Sequence, residues 1–151
     1  MSVSIRNGLP ALLAISAAMA AGCGGSNSNY PPGCSLPGGT TTVLVYPAPG
    51  ATGIPENFGA VVFGSSKALP LSFDAFVLNN TTGNYSYYNT LGAGPNPLPS
   101  PAATPSFANP VYQASGNPGV TWFAGSLLTV YVNDTGSNCV PTLTLGTFHV
   151  Q

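Results

Sequence analysis

From Thr41 onward the apolar residues fall at every second position, in short runs that clusters of Gly, Pro and Asn interrupt, and no window carries a helical period. Side chains two apart share one face of an extended strand, so this pattern dictates half-buried strands and argues against amphipathic helices. Eight runs satisfy it: 41–46, 58–64, 71–78, 85–91, 111–115, 120–124, 127–133 and 143–150. Strands this short, spaced by turn residues, predict an all-β fold, a β-sandwich of seven or eight strands spanning 41–151. In a chain of 151 residues, 44% hydrophobic and 10% aromatic, there is apolar area for one core.

The phase of the alternation assigns faces. Leu71, Phe73, Ala75 and Val77 share one side of the third run, and Leu128, Val130 and Val132 one side of the seventh; these sides are expected to meet in the core. The last run changes phase, because Leu143 and Leu145 are odd-numbered while Phe148 and Val150 are even. A bulge at or near Gly146 reconciles them and turns Thr147 and His149 outward. The Asn-, Thr- and Gly-rich residues 79–84 predict a hairpin, and 133–138 the same between the last two strands. Between them lies a different stretch, 92–110, punctuated by six prolines that cannot feed a central ladder. Long loops of this kind are functional or mobile, or else exposed, partly extended connections, here between the two sheets; the second reading is the commoner.

Two basic and three acidic side chains, 3% of the residues against roughly 25% in an ordinary domain, leave no footprint for phosphate backbones. Nucleic acid is thereby excluded as a partner. One of those charges, Arg6, precedes an apolar stretch from Leu9 to Gly22, which is the order of a secretion signal and falls short of the roughly 20 residues that span a bilayer. Ala20-Ala21-Gly22 leads directly into Cys23 and resembles the relaxed lipobox of bacterial lipoproteins, with Ala20 where Leu is usual. The resemblance implies a signal peptide over 1–22, cleavage before Cys23, and a diacylglycerol on its thiol. The alternative is an ordinary signal peptide cut at Ala18 to Ala20, with Cys23 free. Residues 23–40, polar and rich in Gly, Ser, Asn and Pro, then read as a lipidated Cys and flexible tether.

A second resemblance lies in the run Tyr46-Pro47-Ala48-Pro49-Gly50-Ala51-Thr52-Gly53-Ile54-Pro55-Glu56-Asn57 before Val61-Val62-Phe63. It resembles the opening of bacterial Ig-like domains, in which P-x-x-G-A-T-G-V-P-x-N joins the first two strands. The run from Leu127 to Val132, with Gly146-Thr147-Phe148 beyond, is similar to their closing strands, although Leu128 stands where those domains usually carry Tyr. The likeness covers roughly 41–63 and 120–150 and implies an Ig-like sandwich used as a spacer, adhesion module or accessory domain. Lipidation of Cys23 leaves Cys34 and Cys139, one before the first strand and one before the last. In an Ig-like sandwich these two strands can run parallel, which places both thiols at one end. An exported protein would join them, stabilising the fold by about 4 to 5 kcal/mol in the chain-entropy account for a loop of roughly a hundred residues.

Candidate chemistry is sparse. Beyond the signal the ionisable groups apart from Tyr and Cys are Glu56, Lys67, Asp74, Asp134 and His149. A Ser, His149 and Asp134 triad has no G-x-S-x-G elbow to support it, and zinc lacks four ligands. Asp134 reads as a turn residue rather than a calcium ligand, and no cofactor is expected. The Asn-X-Ser/Thr sites at Asn79, Asn80, Asn84 and Asn133 follow from Asn and Thr richness. Tyr85, Tyr87, Tyr88 and Trp122, with Tyr112 beside them, are the candidate ligand-binding residues, since aromatic side chains among Ser, Thr and Asn suit stacking on neutral sugars. Packing in the core is the competing reading of the same residues. The expectation is therefore a non-catalytic lipoprotein of the bacterial cell envelope, membrane-anchored, its Ig-like domain a surface structural or protein-interaction (adhesion) module. A neutral carbohydrate-binding module using exposed aromatics is the alternative.

Overall fold

The computed structural model describes residues 39–134 and 143–151. Eight strands follow in chain order: β1 (Thr42–Tyr46), β2 (Ala60–Ser65), β3 (Phe73–Asn79), β4 (Tyr85–Tyr88), β5 (Thr90–Ala93), β6 (Val111–Gly116), β7 (Leu127–Asp134) and β8 (Leu143–His149). They form two antiparallel sheets, β1-β2-β6-β5 and β4-β3-β7-β8. This order is that of an immunoglobulin-type sandwich, strands A-B-E-D facing C′-C-F-G. Among the described residues no helix is long and apolar enough to cross a membrane.

The core lies between the sheets. Leu44, Val61 and Phe63 come from one side and meet Phe73, Val77, Val130 and Phe148 from the other, all nearly inaccessible to water. Each such side chain contributes about 1.5 to 3 kcal/mol of burial, so the alternation seen in the sequence drives the assembly. Leu71 departs from the expected face. It is 84% exposed, because the Phe73 N–H closes a turn onto the Pro70 carbonyl at 3.0 Å and β3 begins only at Phe73.

Two of the expected runs resolve differently. Residues 85–91 are not one strand: β4 and β5 belong to opposite sheets, with exposed Asn89 between them. Tyr88 enters the core from one sheet and Leu91 packs against it from the other, a change of phase that a single strand cannot make. Residues 120–124 form no strand. The Val120 N–H turns back onto the Asn117 carbonyl at 3.3 Å, the Trp122 N–H bonds the Glu56 carbonyl at 2.9 Å, and Gly125 leaves the segment with φ +78°. Turns on both sides leave no length for a ladder, and the segment instead closes one end of the sandwich.

The bulge falls where the phase change demands it. Val130 pairs with Gly146 and Tyr131 with Thr144, so Leu145 is the extra residue; His149 is exposed beyond it and Thr147 half-buried. The Asn79 N–H and carbonyl bond Asn84 and Gly83 respectively at 2.8 Å, which is the expected hairpin. The segment 50–54 runs alongside β8. The Gly50 N–H donates to Thr147 O at 2.7 Å, His149 N–H to Ala51 O at 2.8 Å, and Gln151 N–H to Ile54 O at 2.9 Å, with Ile54 bridged in parallel to Val150. Gly50 and Gly53 take φ of +79° and +78°, left-handed values that L side chains rarely adopt, so the G-A-T-G spacing is a backbone requirement.

The Pro-rich stretch corrects the remaining expectation. β5 and β6 are neighbours in one sheet, so residues 94–110 do not link the two sheets. They fold back over the outer face of the β1-β2-β6-β5 sheet, tied by Ala103 N–H to Val45 O at 2.8 Å and Ala48 N–H to Pro101 O at 3.1 Å. Pro105 seats on Gly64, where an added Cβ would lie 2.7 Å from its ring. Val45, Tyr46 and Val62 are buried in this second cluster, with Leu98 and Tyr112 packed against them. The segment is a strap over a minor core.

Candidate functional site

In β4 the alternation sends Ser86 and Tyr88 inward and Tyr85 and Tyr87 outward, 60% and 39% exposed respectively. Tyr88 is wholly buried and Trp122 is 6% exposed. The Trp122 Nε1–H donates to Tyr88 Oη at 3.0 Å, the Phe58 ring stacks on Tyr88 with centroids 5.5 Å apart, and the Ser115 hydroxyl donates to the Tyr88 carbonyl. Burial pushes the Tyr88 phenol up to about 12, and the indole donor offsets part of that rise. Tyr88 and Trp122 are thus core residues and leave the binding set; Tyr112 is half-buried on the strap side. The period of two puts Tyr88 one step out of register with its tyrosine neighbours, and no surface can hold all of them.

Tyr85 and Tyr87 do not stand alone. Tyr87 is paired across the ladder with Phe76, and Phe76 with Tyr131, so three aromatic side chains form a row over β4, β3 and β7. Ring centroids are 5.3 Å apart for Phe76 and Tyr87 and 5.7 Å for Phe76 and Tyr131, with interplanar angles of 60° and 57°. Tyr85 joins from the next rung, 5.0 Å from Phe76 and 5.9 Å from Tyr87. Spacings of 4.5 to 7 Å with inclined rings are the favoured aromatic geometry. Phe76, Leu78 and Tyr131 are half-buried and form the floor, while Tyr85 and Tyr87 project.

Neutral groups frame the cluster. The Asn117 carboxamide donates to the Tyr87 carbonyl at 2.8 Å and holds the β4 edge. Asn80 and Thr129 exchange hydrogen bonds of 2.8 and 3.0 Å at the other side of Leu78. Among the described residues, the charged or titratable groups on this face besides tyrosine lie at its two ends: Asp74, buried, at the start of β3, and exposed His149 at the end of β8. Sequence reasoning passed over Phe76 and Tyr131. Both sit in the outward phase of otherwise core-forming runs, Phe76 between Ala75 and Val77 and Tyr131 between Val130 and Val132, and that mismatch is the signal that finds them.

The ionisable residues do not converge. β7 places Asp134 opposite Phe73 at one end of the sheet, and Leu127 opposite His149 at the other. A triad of Ser, His149 and Asp134 is therefore not assembled. His149 lines an open depression with Thr52, Gly53, Ala124, Gly125 and Gln151, none of them an acid or a base. Glu56 accepts the Ala124 N–H at 3.2 Å and ties two loops together. Among the described residues no three His, Cys, Asp or Glu side chains gather as a metal ion requires. Asn79 is 1% exposed, with its carboxamide donating to Ser126 Oγ at 2.8 Å and accepting the Thr81 N–H at 2.9 Å, so it is a hairpin brace and not a glycan acceptor. Cys23, Cys34 and Cys139 lie outside the described residues, as do residues 135–138 of the hairpin expected at 133–138.

No family model, no curated protein and no solved structure matches the chain.

Proposed function

We propose that the chain is a non-catalytic lipoprotein of the bacterial cell envelope, with a signal peptide over 1–22, an acylated Cys23, a tether, and an Ig-like domain that serves as a surface structural and interaction module. The observation that carries the interaction role is the row of Tyr87, Phe76 and Tyr131 flanked by Tyr85, an aromatic surface that no described segment covers, whereas residues 94–110 lie over the other outer face. Aromatic residues are enriched where partners dock, and uncovered patches of them mark such sites. The scatter of Glu56, Asp134 and His149 supports a non-catalytic role, since catalysis needs acids and bases within reach of one reacting atom. The charged start, apolar middle and small residues before Cys23 support the anchor.

The test uses protein carrying a photoreactive amino acid at position 87 or, as control, at exposed position 90, expressed in its host and recovered from membranes. The expected mass begins at Cys23 with added acyl groups, and cross-links form from position 87 in excess of position 90. A soluble, unacylated chain overturns the anchor; equal or absent cross-linking from the two positions overturns the interaction surface.

A further inference from the structure

We infer that the uncovered aromatic face binds a single neutral glycan chain, stacked on Tyr87 and Tyr131 across Phe76. The inference rests on the reading of this face as the interaction surface and names its occupant. Three features of the face select it.

The first is size. Four strands spaced about 4.8 Å apart, of 4, 7, 8 and 7 residues at about 3.4 Å each, give a face of roughly 19 by 22 Å, or about 400 Å². A stable protein partner, or a second copy of this chain, needs about 800 Å² on each side. The face is too small for either and long enough for a few sugar rings. The second is charge. The row itself holds no cation or anion, and Asp74 and His149 stand at opposite ends of the face along the strand direction. Nothing there neutralises an acidic polymer, whereas the C–H faces of a neutral pyranose stack on aromatic rings and its hydroxyls bond phenols and amides such as those of exposed Tyr85, Tyr87 and Asn80. The third is shape. Tyr87 and Tyr131 are inclined 60° and 57° to Phe76, so the three rings share no plane. A flat crystalline polysaccharide surface could not touch all of them, while a twisted single chain presents successive sugar faces at different angles.

The mature, acylated chain in nanodiscs is titrated calorimetrically with maltohexaose, cellohexaose, laminarihexaose and mannohexaose, and with a hyaluronan hexasaccharide as the charged control. At least one neutral hexasaccharide is expected to bind and the charged one not to. Tyr87→Ala and Tyr131→Ala are each expected to weaken binding by about tenfold, while Phe123→Ala, an exposed aromatic in the loop between β6 and β7, leaves it unchanged. No binding of any neutral probe at about 10 mM overturns the inference, as does binding that Tyr87→Ala leaves intact. If the probes are silent while a photoreactive residue at 87 captures a protein, the glycan is overturned and the interaction surface stands. If that cross-linker also yields nothing, both readings fall.

Discussion

The two sheets treat their outer faces in opposite ways. On β1-β2-β6-β5 the outward positions are filled by Val43, Val45, Tyr46, Val62, Tyr112 and Ala114, and residues 94–110 lie over them. On β4-β3-β7-β8 the outward positions hold Phe76, Leu78, Tyr85, Tyr87 and Tyr131, and no described segment covers them. A chain with 3% charged residues has few charged side chains for the outside of a sandwich. It meets the shortage by two routes: a mainly aliphatic layer, with Tyr46 and Tyr112, where its own backbone returns to shield it, and a cluster of aromatic rings where no described segment does. Tyrosine tolerates water at one end and apolar contact along the rest, so it serves on both faces, buried as Tyr46 beneath the strap and projecting as Tyr85 and Tyr87 on the open side.

A charge placed beneath the strap breaks this contrast most severely. Val62 is 1% exposed, and Val62→Asp is expected to cost about 3 to 5 kcal/mol in chemical denaturation, because the carboxylate has no partner there. A cost below about 1 kcal/mol would mean that the strap lifts freely and that both outer faces are effectively open. Alkali acts on the buried phenols next. Burial raises Tyr46 on the strap side, and raises Tyr88 to about 12, so above pH 10 the unfolded chain releases a proton that the folded chain retains. Stability is unaffected below pH 10 and declines as the pH climbs to about 12, by about 2 to 3 kcal/mol for Tyr88 alone. Melting temperatures measured from pH 8 to 12 check this, and a flat profile would place Tyr88 in contact with water. The smallest effect belongs to the open face. Tyr87→Ala is expected to shift stability by no more than about 0.5 kcal/mol in the same denaturation assay; a much larger loss would make the aromatic row part of the folding core.

Much of this architecture is legible in the alternation of the sequence. Phe73, Ala75 and Val77 point into the core together with Leu128, Val130 and Val132, as neighbours within one sheet rather than from facing sheets, and Leu145 is extruded beside Gly146 where the phase breaks. Those features are local, set by a period of two that any register must respect. What escaped is non-local. The run 85–91 carries one continuous strand signal, and only the presence of a second sheet to receive Leu91 divides it at Asn89. Trp122 reads as a strand residue until the Glu56 carbonyl, far away in sequence, claims its amide. The strap has no periodicity at all, since prolines pack by shape, and its place over Gly64 depends on a glycine whose role shows only when Pro105 arrives. For the candidate site, Tyr85 and Tyr87 were visible as neighbours in sequence, while Phe76 and Tyr131 needed the pairing of three strands to join them.

The segment 50–54 along β8, the Ala103 amide on Val45 and the Asn117 carboxamide on Tyr87 have a joint consequence for how such molecules behave when crowded. Each occupies backbone groups that would otherwise offer a template to a neighbouring chain, the starting point of edge-to-edge polymerisation. Most proteins also keep one another apart by net charge, and this one carries a formal charge of −1. With so little mutual repulsion, its colloidal stability falls to these three plugs, placed at the margins of β8, β1 and β4.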